Sequence, residues 1–248
     1  MLSIRRFALS VALAACALPA VQAQESSSVA PQAPAAASQA TPATGQASVQ
    51  ARIRARREQR RSNAIREAYS HQYEAYTGVG YMRFVPGPTH QQRVTMYAWN
   101  VGLTRYLNQR LGVTVDGRGN YGTAYVGLNP SGITRPAISF YTAQAGPTYR
   151  FYMQPKYSVS GRVLAGFAGG NFTSDTNGFG TSMGFTDGRK LLYANSSTFA
   201  ASVSVSAEYN LTPEVAFRLA PEYSFTGFGS TTQYNRGFTT GIVYRFGK

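Results

Sequence analysis

The residues of this chain that could perform acid–base catalysis are few and far apart. The two histidines are His71 and His90, and although Thr89 adjoins His90, no acidic residue accompanies that pair. A hydrolytic site needs a nucleophile within hydrogen-bond reach of a base, and a third group that orients the base. We therefore expect both histidines to be solvated surface residues, and we predict no catalytic residue.

The candidate metal ligands are equally sparse. Asp175 and Asp187 belong to one predicted loop, but Ca²⁺ takes roughly six to eight oxygen ligands, and two isolated carboxylates fall short of that set. The single cysteine, Cys16, lies near the N-terminus, and no glycine-rich phosphate-binding motif is present. We predict no bound metal ion and no cofactor.

A third group of charged residues has a regular position in the C-terminal part of the chain. Four acids and five arginines fall on the face of alternating segments opposite to the aromatic residues: Glu74, Asp116, Arg118, Arg150, Arg162, Glu208, Arg218, Glu222 and Arg245. The interior of a small barrel has room only for side chains, and buried charges must pair there. This pattern predicts an interior ion-pair network without a wide aqueous channel. The alternative is that some of these side chains lie at the rims in water.

Eight segments of alternating apolar and polar residues would position these charges. They cover residues 72–85, 93–107, 111–125, 138–152, 156–171, 198–211, 214–228 and 234–246. In the sixth segment Phe199, Val203, Val205 and Tyr209 alternate with serines, and aromatic residues at both ends of an apolar face are typical of a membrane-spanning strand. Charged residues make up only 14% of the chain, against about 25% in soluble domains. We predict an all-β, eight-stranded, antiparallel, up-and-down transmembrane barrel.

The connections between the segments alternate in length. Those after segments two, four and six are short, at residues 107–110, 153–156 and 210–214, whereas the others are longer. Outer-membrane barrels have short periplasmic turns and longer extracellular loops. The alternation therefore predicts that both chain ends lie in the periplasm. Turn motifs near residues 129 and 187 could extend strands beyond the membrane, but they lack the aromatic pattern, so we expect eight strands rather than ten.

Two prolines, Pro147 and Pro221, fall inside predicted strands on the lipid-facing side. Proline cannot donate a hydrogen bond to a neighbouring strand and is unusual inside a sheet. We expect a bulge or a local distortion at each of them.

The N-terminal segment, residues 1–23, is predicted to be a secretory signal peptide. Arg5 and Arg6 precede an apolar run, and a small-residue cleavage pattern ends at Ala23. The alternative is lipoprotein processing, because the residues before Cys16 resemble a lipobox. Cleavage after Ala23 would leave the mature chain without cysteine.

Two further segments precede the barrel, which we assign to residues 69–248. Residues 24–50 are rich in Ala, Pro, Ser and Gln and are predicted to be a disordered linker. Residues 51–68 form a basic arm of helix-favouring composition. Its arginines are Arg52, Arg54, Arg56, Arg57, Arg60, Arg61 and Arg66. The arm is either simply solvated or binds periplasmic polyanions; export argues against a nucleic-acid partner.

The last strand carries the sharpest resemblance to a known family. Phe238, Ile242, Tyr244 and Phe246 alternate along it, although Gly247 and Lys248 follow the terminal aromatic residue. Over residues 69–248 the chain resembles the small eight-stranded outer-membrane barrels that include the OmpA transmembrane domain and OmpX. The resemblance implies the outer membrane of a Gram-negative bacterium, and recognition of those four residues by the barrel-assembly machinery.

The resemblance does not imply one activity. We expect a monomeric, non-enzymatic protein with a structural role in envelope integrity. The alternatives are a narrow porin-like pore or a loop-mediated binder or adhesin, and a more distant one is a lipid-modifying enzyme. The expected partners are outer-membrane lipid and lipopolysaccharide, which arginines near the rims could contact: Arg83, Arg93, Arg135, Arg189 and Arg236.

Overall fold

The computed structural model describes residues 43–88, 92–127, 132–176 and 192–247. It contains one closed barrel of eight antiparallel strands, in which each strand pairs with the next and the last strand pairs with the first. The predicted fold class is confirmed. The described residues from 47 onwards form one compact unit.

The observed strand ends lie within two residues of the predicted ones. The strands are β1 Tyr73–Phe84, β2 Val94–Tyr106, β3 Leu111–Thr123, β4 Ala137–Met153, β5 Tyr157–Asn171, β6 Ser196–Asn210, β7 Val215–Thr226 and β8 Gln233–Phe246. Short 3₁₀ helices follow β5 and β7, at Ser174–Thr176 and Phe228–Ser230. The agreement arises because residues alternate between the two faces of a strand, and each face here has its own composition.

The alternation separates the outside of the barrel from its interior. On β6, Phe199 and Val205 are 51% and 49% exposed, whereas Ser204 and Ser206 are buried. Large apolar side chains cover the outside of every strand, with aromatic residues near both ends. A barrel that exposes such a band is suited to a hydrocarbon environment.

Both prolines interrupt the pairing of neighbouring strands without shifting its register. The β4–β5 ladder skips Gly146 and Pro147, and the β6–β7 ladder skips Ala220 and Pro221. The expected local distortion is therefore present at each proline. A true register shift occurs elsewhere, between Arg150 and Tyr152 on β4.

A long helix, α1, runs over Ala43–Tyr69 and leads into β1. It begins at Ala43, so the predicted disordered linker is wrong for residues 43–50. Alanine and glutamine, which favour helix, are frequent there and extend the helix towards the N-terminus. Side chains 48–63 are all exposed. Among the described residues, no helix has the length and apolar character that crossing a membrane requires.

Candidate functional site

The lumen near the short turns holds a cluster of ion pairs centred on two glutamates. Glu74 accepts hydrogen bonds from Arg150 at 2.5 Å, from Arg245 at 3.3 Å and from Arg218. Glu208 accepts from Arg218 and from Arg245, each at 2.7 Å. Five charges thus share one network, and each glutamate is held by at least two guanidinium groups.

The strand register accounts for most of this cluster. Glu74 on β1 lies opposite Arg245 on β8, and Glu208 on β6 lies opposite Arg218 on β7. These pairs are direct cross-strand neighbours, whose Cβ atoms lie within about 5.5 Å. Arg150 on β4 reaches Glu74 from across the lumen. The cluster therefore joins strands from both sides of the barrel.

A second group of charges lies further towards the long loops. Arg118 on β3 binds Glu222 on β7 through two parallel contacts, with Nη1–Oε1 at 2.5 Å and Nη2–Oε2 at 2.7 Å. Asp116 lies 3.7 Å from Arg118 and accepts a 2.5 Å hydrogen bond from the Tyr76 hydroxyl. Bidentate pairing of this kind is among the strongest polar contacts in proteins.

Arg162 differs from the other four lumen arginines. It forms no salt bridge with a described residue; its Nε donates to Ser204 Oγ at 3.3 Å, and its guanidinium lies 5.0 Å from the centre of the Tyr76 ring. The quadrupole of the ring attracts the guanidinium and partly compensates for the absence of a carboxylate partner. Among the described residues, five arginines and four carboxylates give the lumen a formal excess of one positive charge, and Arg162 is the arginine without a carboxylate partner.

The expectation that some of these nine charges lie in water at the rims is wrong. Eight of the residues are at most 6% exposed, and the side chain of the ninth, Glu222, is 5% exposed. The barrel is narrow enough that its neighbouring side chains cover every one of them.

The loop end of the lumen contains aromatic rings that were not predicted from the sequence. We call this group the aromatic cluster and define it by Phe84, Phe140, Phe172, Tyr193 and Phe228. The centroids of Phe84 and Phe140 are 4.9 Å apart, as are those of Phe172 and Phe228, and all five residues are at most 3% exposed. Phe84 shares the inward parity of Glu74, so alternation alone could have revealed it.

The turn end of the lumen is covered by the last residue of α1. Tyr69 is 1% exposed, its hydroxyl donates to the Gln154 carbonyl at 2.9 Å, and it accepts from Asn210 at 2.8 Å. The guanidinium groups of Arg150 and Arg245 each lie 5.0 Å from the Tyr69 ring centre. The end of the helix is therefore part of the barrel core, although the sequence offers no periodic signal for it.

The candidate catalytic and metal-binding residues are not brought together. His71 is 5% exposed, so its prediction as a solvated surface residue is wrong; it lies between α1 and β1, where the barrel covers it. His90, Thr89 and Asp187 lie outside the described residues. Asp175 accepts a 3.0 Å hydrogen bond from the Ala137 amide. No group of three or more potential ligands occurs in the part of the chain that the structure describes.

The four residues that we expect the barrel-assembly machinery to recognise lie on the outside of β8. Ile242, Tyr244 and Phe246 are 56%, 50% and 39% exposed, and Phe238 packs edge-on against Tyr81 with ring centroids 5.0 Å apart. They form an apolar stripe along the strand that closes the barrel.

Comparisons with known proteins give similarity in structure only. No protein-family model matches the chain. No curated protein sequence matches it. Among solved structures, neisserial surface protein A is 12% identical, with a TM-score of 0.51 over 71% of this chain and 97% of that one. OprG from Pseudomonas aeruginosa is 10% identical, with a TM-score of 0.46 over 72% and 98%. Ail of Yersinia pestis is 17% identical, with a TM-score of 0.44 over 71% and 99%. The closed eight-stranded topology and the match with neisserial surface protein A confirm the resemblance to small eight-stranded outer-membrane barrels as a likeness of fold.

Proposed function

We propose that this protein is an outer-membrane β-barrel with a structural role in envelope integrity and without an open channel. The observation that carries the proposal is the filled lumen. Tyr69 covers the turn end, the Arg118–Glu222 pair crosses the middle, and the aromatic cluster packs the loop end. Three successive barriers of different chemistry oppose the passage of water and ions.

The membrane placement is inferred from the outer surface and the connections. The exposed apolar band matches the requirement of a lipid environment, and the short connections after β2, β4 and β6 share one end of the barrel. In outer-membrane barrels that end faces the periplasm. We infer that α1 and the C-terminus lie on the periplasmic side, and that the barrel-assembly machinery recognises the outward stripe of β8.

The basic arm is inferred to bind polyanions on that side. Its seven arginines are all exposed, and only Arg61 has a described hydrogen bond to the barrel, to Gln154 Oε1 at 2.5 Å. A helix that presents so much positive charge is attracted to anionic lipid headgroups and other periplasmic polyanions. The arm would thereby link the barrel to the inner leaflet.

Conductance in planar bilayers tests the closed lumen. We expect no stable open-channel current from the full-length chain, while a wide porin in the same bilayers conducts. Stable current steps from the wild-type protein would overturn the proposal and favour the narrow pore. Heat-modifiable gel mobility of the same samples shows whether the barrel is folded.

Two tests in cells address the physiological role. Cells that lack the protein should admit detergent more readily than cells that express it, and unchanged resistance would contradict the structural role. The lipid A acylation pattern should be the same in both, because we propose a non-enzymatic protein. A difference in acyl chains would instead favour the lipid-modifying enzyme.

A further inference from the structure

The outer surface of β1 and β8 carries two arginines side by side near the long loops. Arg83 and Arg236 are direct cross-strand partners, and both are exposed. Like charges that face each other directly across two strands destabilise a sheet. No described strand residue that points outward is acidic, so the outer wall supplies no carboxylate to offset them. An anion from outside the protein would offset the charge of this pair.

Neighbouring side chains hold both arginines in place. Arg83 Nη1 donates to Thr95 Oγ1 at 2.8 Å, and the Arg236 guanidinium lies 5.7 Å from the centre of the Tyr223 ring. Each contact leaves other N–H groups of the guanidinium free to bind a ligand, because arginine carries five donors. The two guanidinium groups thus form a site with two positive charges at the same height on the outer wall. One contact with a neighbouring side chain restrains each group.

An apolar groove of about 500 Å³ lies directly below this pair, towards the middle of the barrel. Aromatic side chains that pack against other neighbours border it. The Trp99 indole lies over Gly119 on β3, while the Tyr81 ring packs against Phe238 on β8. The space between them is bordered by Val79, Tyr81, Tyr97, Trp99, Tyr121 and Phe238.

A second groove, of about 400 Å³, begins at the other side of Arg236. Val203, Val205, Pro221 and Tyr223 border it. It coincides with the gap that Pro221 leaves in the β6–β7 ladder. Two apolar grooves therefore descend from one doubly positive site, an arrangement that matches a ligand with one anionic head and several acyl chains.

We propose that Arg83 and Arg236 bind the phosphate of a phosphomonoester-bearing lipid, whose acyl chains occupy the two grooves. A phosphomonoester carries a charge between about −1.5 and −2 at neutral pH, which two arginines match better than the single charge of a phosphodiester. The site is at the loop end of the barrel, so the ligand is an outer-leaflet lipid. This inference rests on the proposed membrane orientation and adds a specific lipid partner to it.

Trp99 gives a direct readout, because it is the single tryptophan of the chain and borders the first groove. The full-length protein is reconstituted in phosphatidylcholine vesicles that contain lipids with brominated acyl chains, which quench tryptophan emission. We expect brominated phosphatidic acid, a phosphomonoester, to quench Trp99 at about a tenfold lower mole fraction than brominated phosphatidylcholine, as charge-assisted hydrogen bonds predict. Unlabelled lipid A should restore the emission.

Matched variants assign the effect to the arginine pair. The double variant Arg83→Gln/Arg236→Gln should lose the preference for phosphatidic acid. Arg105→Gln should retain it, because Arg105 is also exposed on the outside and lies 6.0 Å from an aromatic ring centre, that of Tyr73, but at the turn end. Val79→Phe, which fills the first groove, should reduce quenching by the phosphomonoester lipid.

Four outcomes would overturn the inference: equal quenching by both lipids in the wild type, a preference that survives the double variant, equal preference for phosphatidylglycerol, or quenching unaffected by Val79→Phe. The closed lumen is tested separately by conductance. A conducting barrel that retains the lipid preference would contradict only the proposed function, and a closed barrel without that preference would contradict only this inference.

Discussion

Arg118 on β3 and Glu222 on β7 join opposite walls of the barrel through two hydrogen bonds of 2.5 Å and 2.7 Å. These strands are four apart in a ring of eight, so the pair crosses the full width of the lumen. Because both side chains are at most 5% exposed, the contact forms in a medium where an unpaired charge is costly. The pair is at once a brace between the walls and a barrier inside the lumen.

Replacing the two partners of this brace should have unequal effects. Arg118→Met leaves Asp116 and Glu222 without their arginine, so we expect a loss of about 3–5 kcal/mol in the free energy of unfolding. Glu222→Gln should cost less, since Asp116 remains 3.7 Å from Arg118. Urea unfolding in lipid vesicles measures both values. Equal losses would show that Asp116 does not replace Glu222 as the negatively charged partner of Arg118.

Glu74 should be the most sensitive acid of the lumen. It contacts Arg150, Arg218 and Arg245, so Glu74→Gln removes the charge that three guanidinium groups share. We expect a loss of about 3–5 kcal/mol in the same unfolding measurement.

The matched control for that variant is Glu214→Gln, in the exposed turn before β7. Surface substitutions of this kind change stability by about 0.5 kcal/mol or less. If the Glu74 variant were no less stable than this control, the charge network would contribute nothing to the fold.

The hydroxyl and the ring of Tyr69 should contribute separately. Tyr69→Phe keeps the ring between Arg150 and Arg245 but loses the hydroxyl contacts with Gln154 and Asn210, which should cost about 1 kcal/mol. Tyr69→Ala also leaves a cavity at the turn end and should cost about 3–5 kcal/mol. Thermal unfolding followed by gel mobility measures both losses. Identical behaviour of the alanine variant and the wild type would show that the helix end is not part of the core.

The basic arm should be dispensable for folding. Deletion of residues 51–67 removes exposed side chains for the most part and spares Tyr69, so the heat-modifiable mobility should be unchanged. The same deletion should weaken binding of the folded protein to anionic vesicles while leaving binding to zwitterionic vesicles as it was. Loss of the folded form would instead show that the arm belongs to the barrel core.

The alternating pattern was sufficient to predict the strands and the inward position of the nine charges, because period two is a local property of the chain. Phe84 and Phe140 are at inward positions by the same rule, so the alternation could have predicted that they are buried. Phe228 also has inward parity, at the end of the predicted segment 214–228. Phe172 and Tyr193 lie in the connection after β5, and connections between strands have no fixed periodicity. Tyr69 was missed for a similar reason, since its burial depends on how the helix end meets the barrel.

The contact between Glu74 and Arg245 joins positions that are 171 residues apart in the chain, on the first and the last strand. A sheet that entered the bilayer before its two edges met would carry these charges, and an open row of backbone groups, into hydrocarbon. Sealing the cylinder and satisfying its interior are therefore a single event. A chain truncated before its final strand should fail to insert at all, rather than persist as a partial barrel.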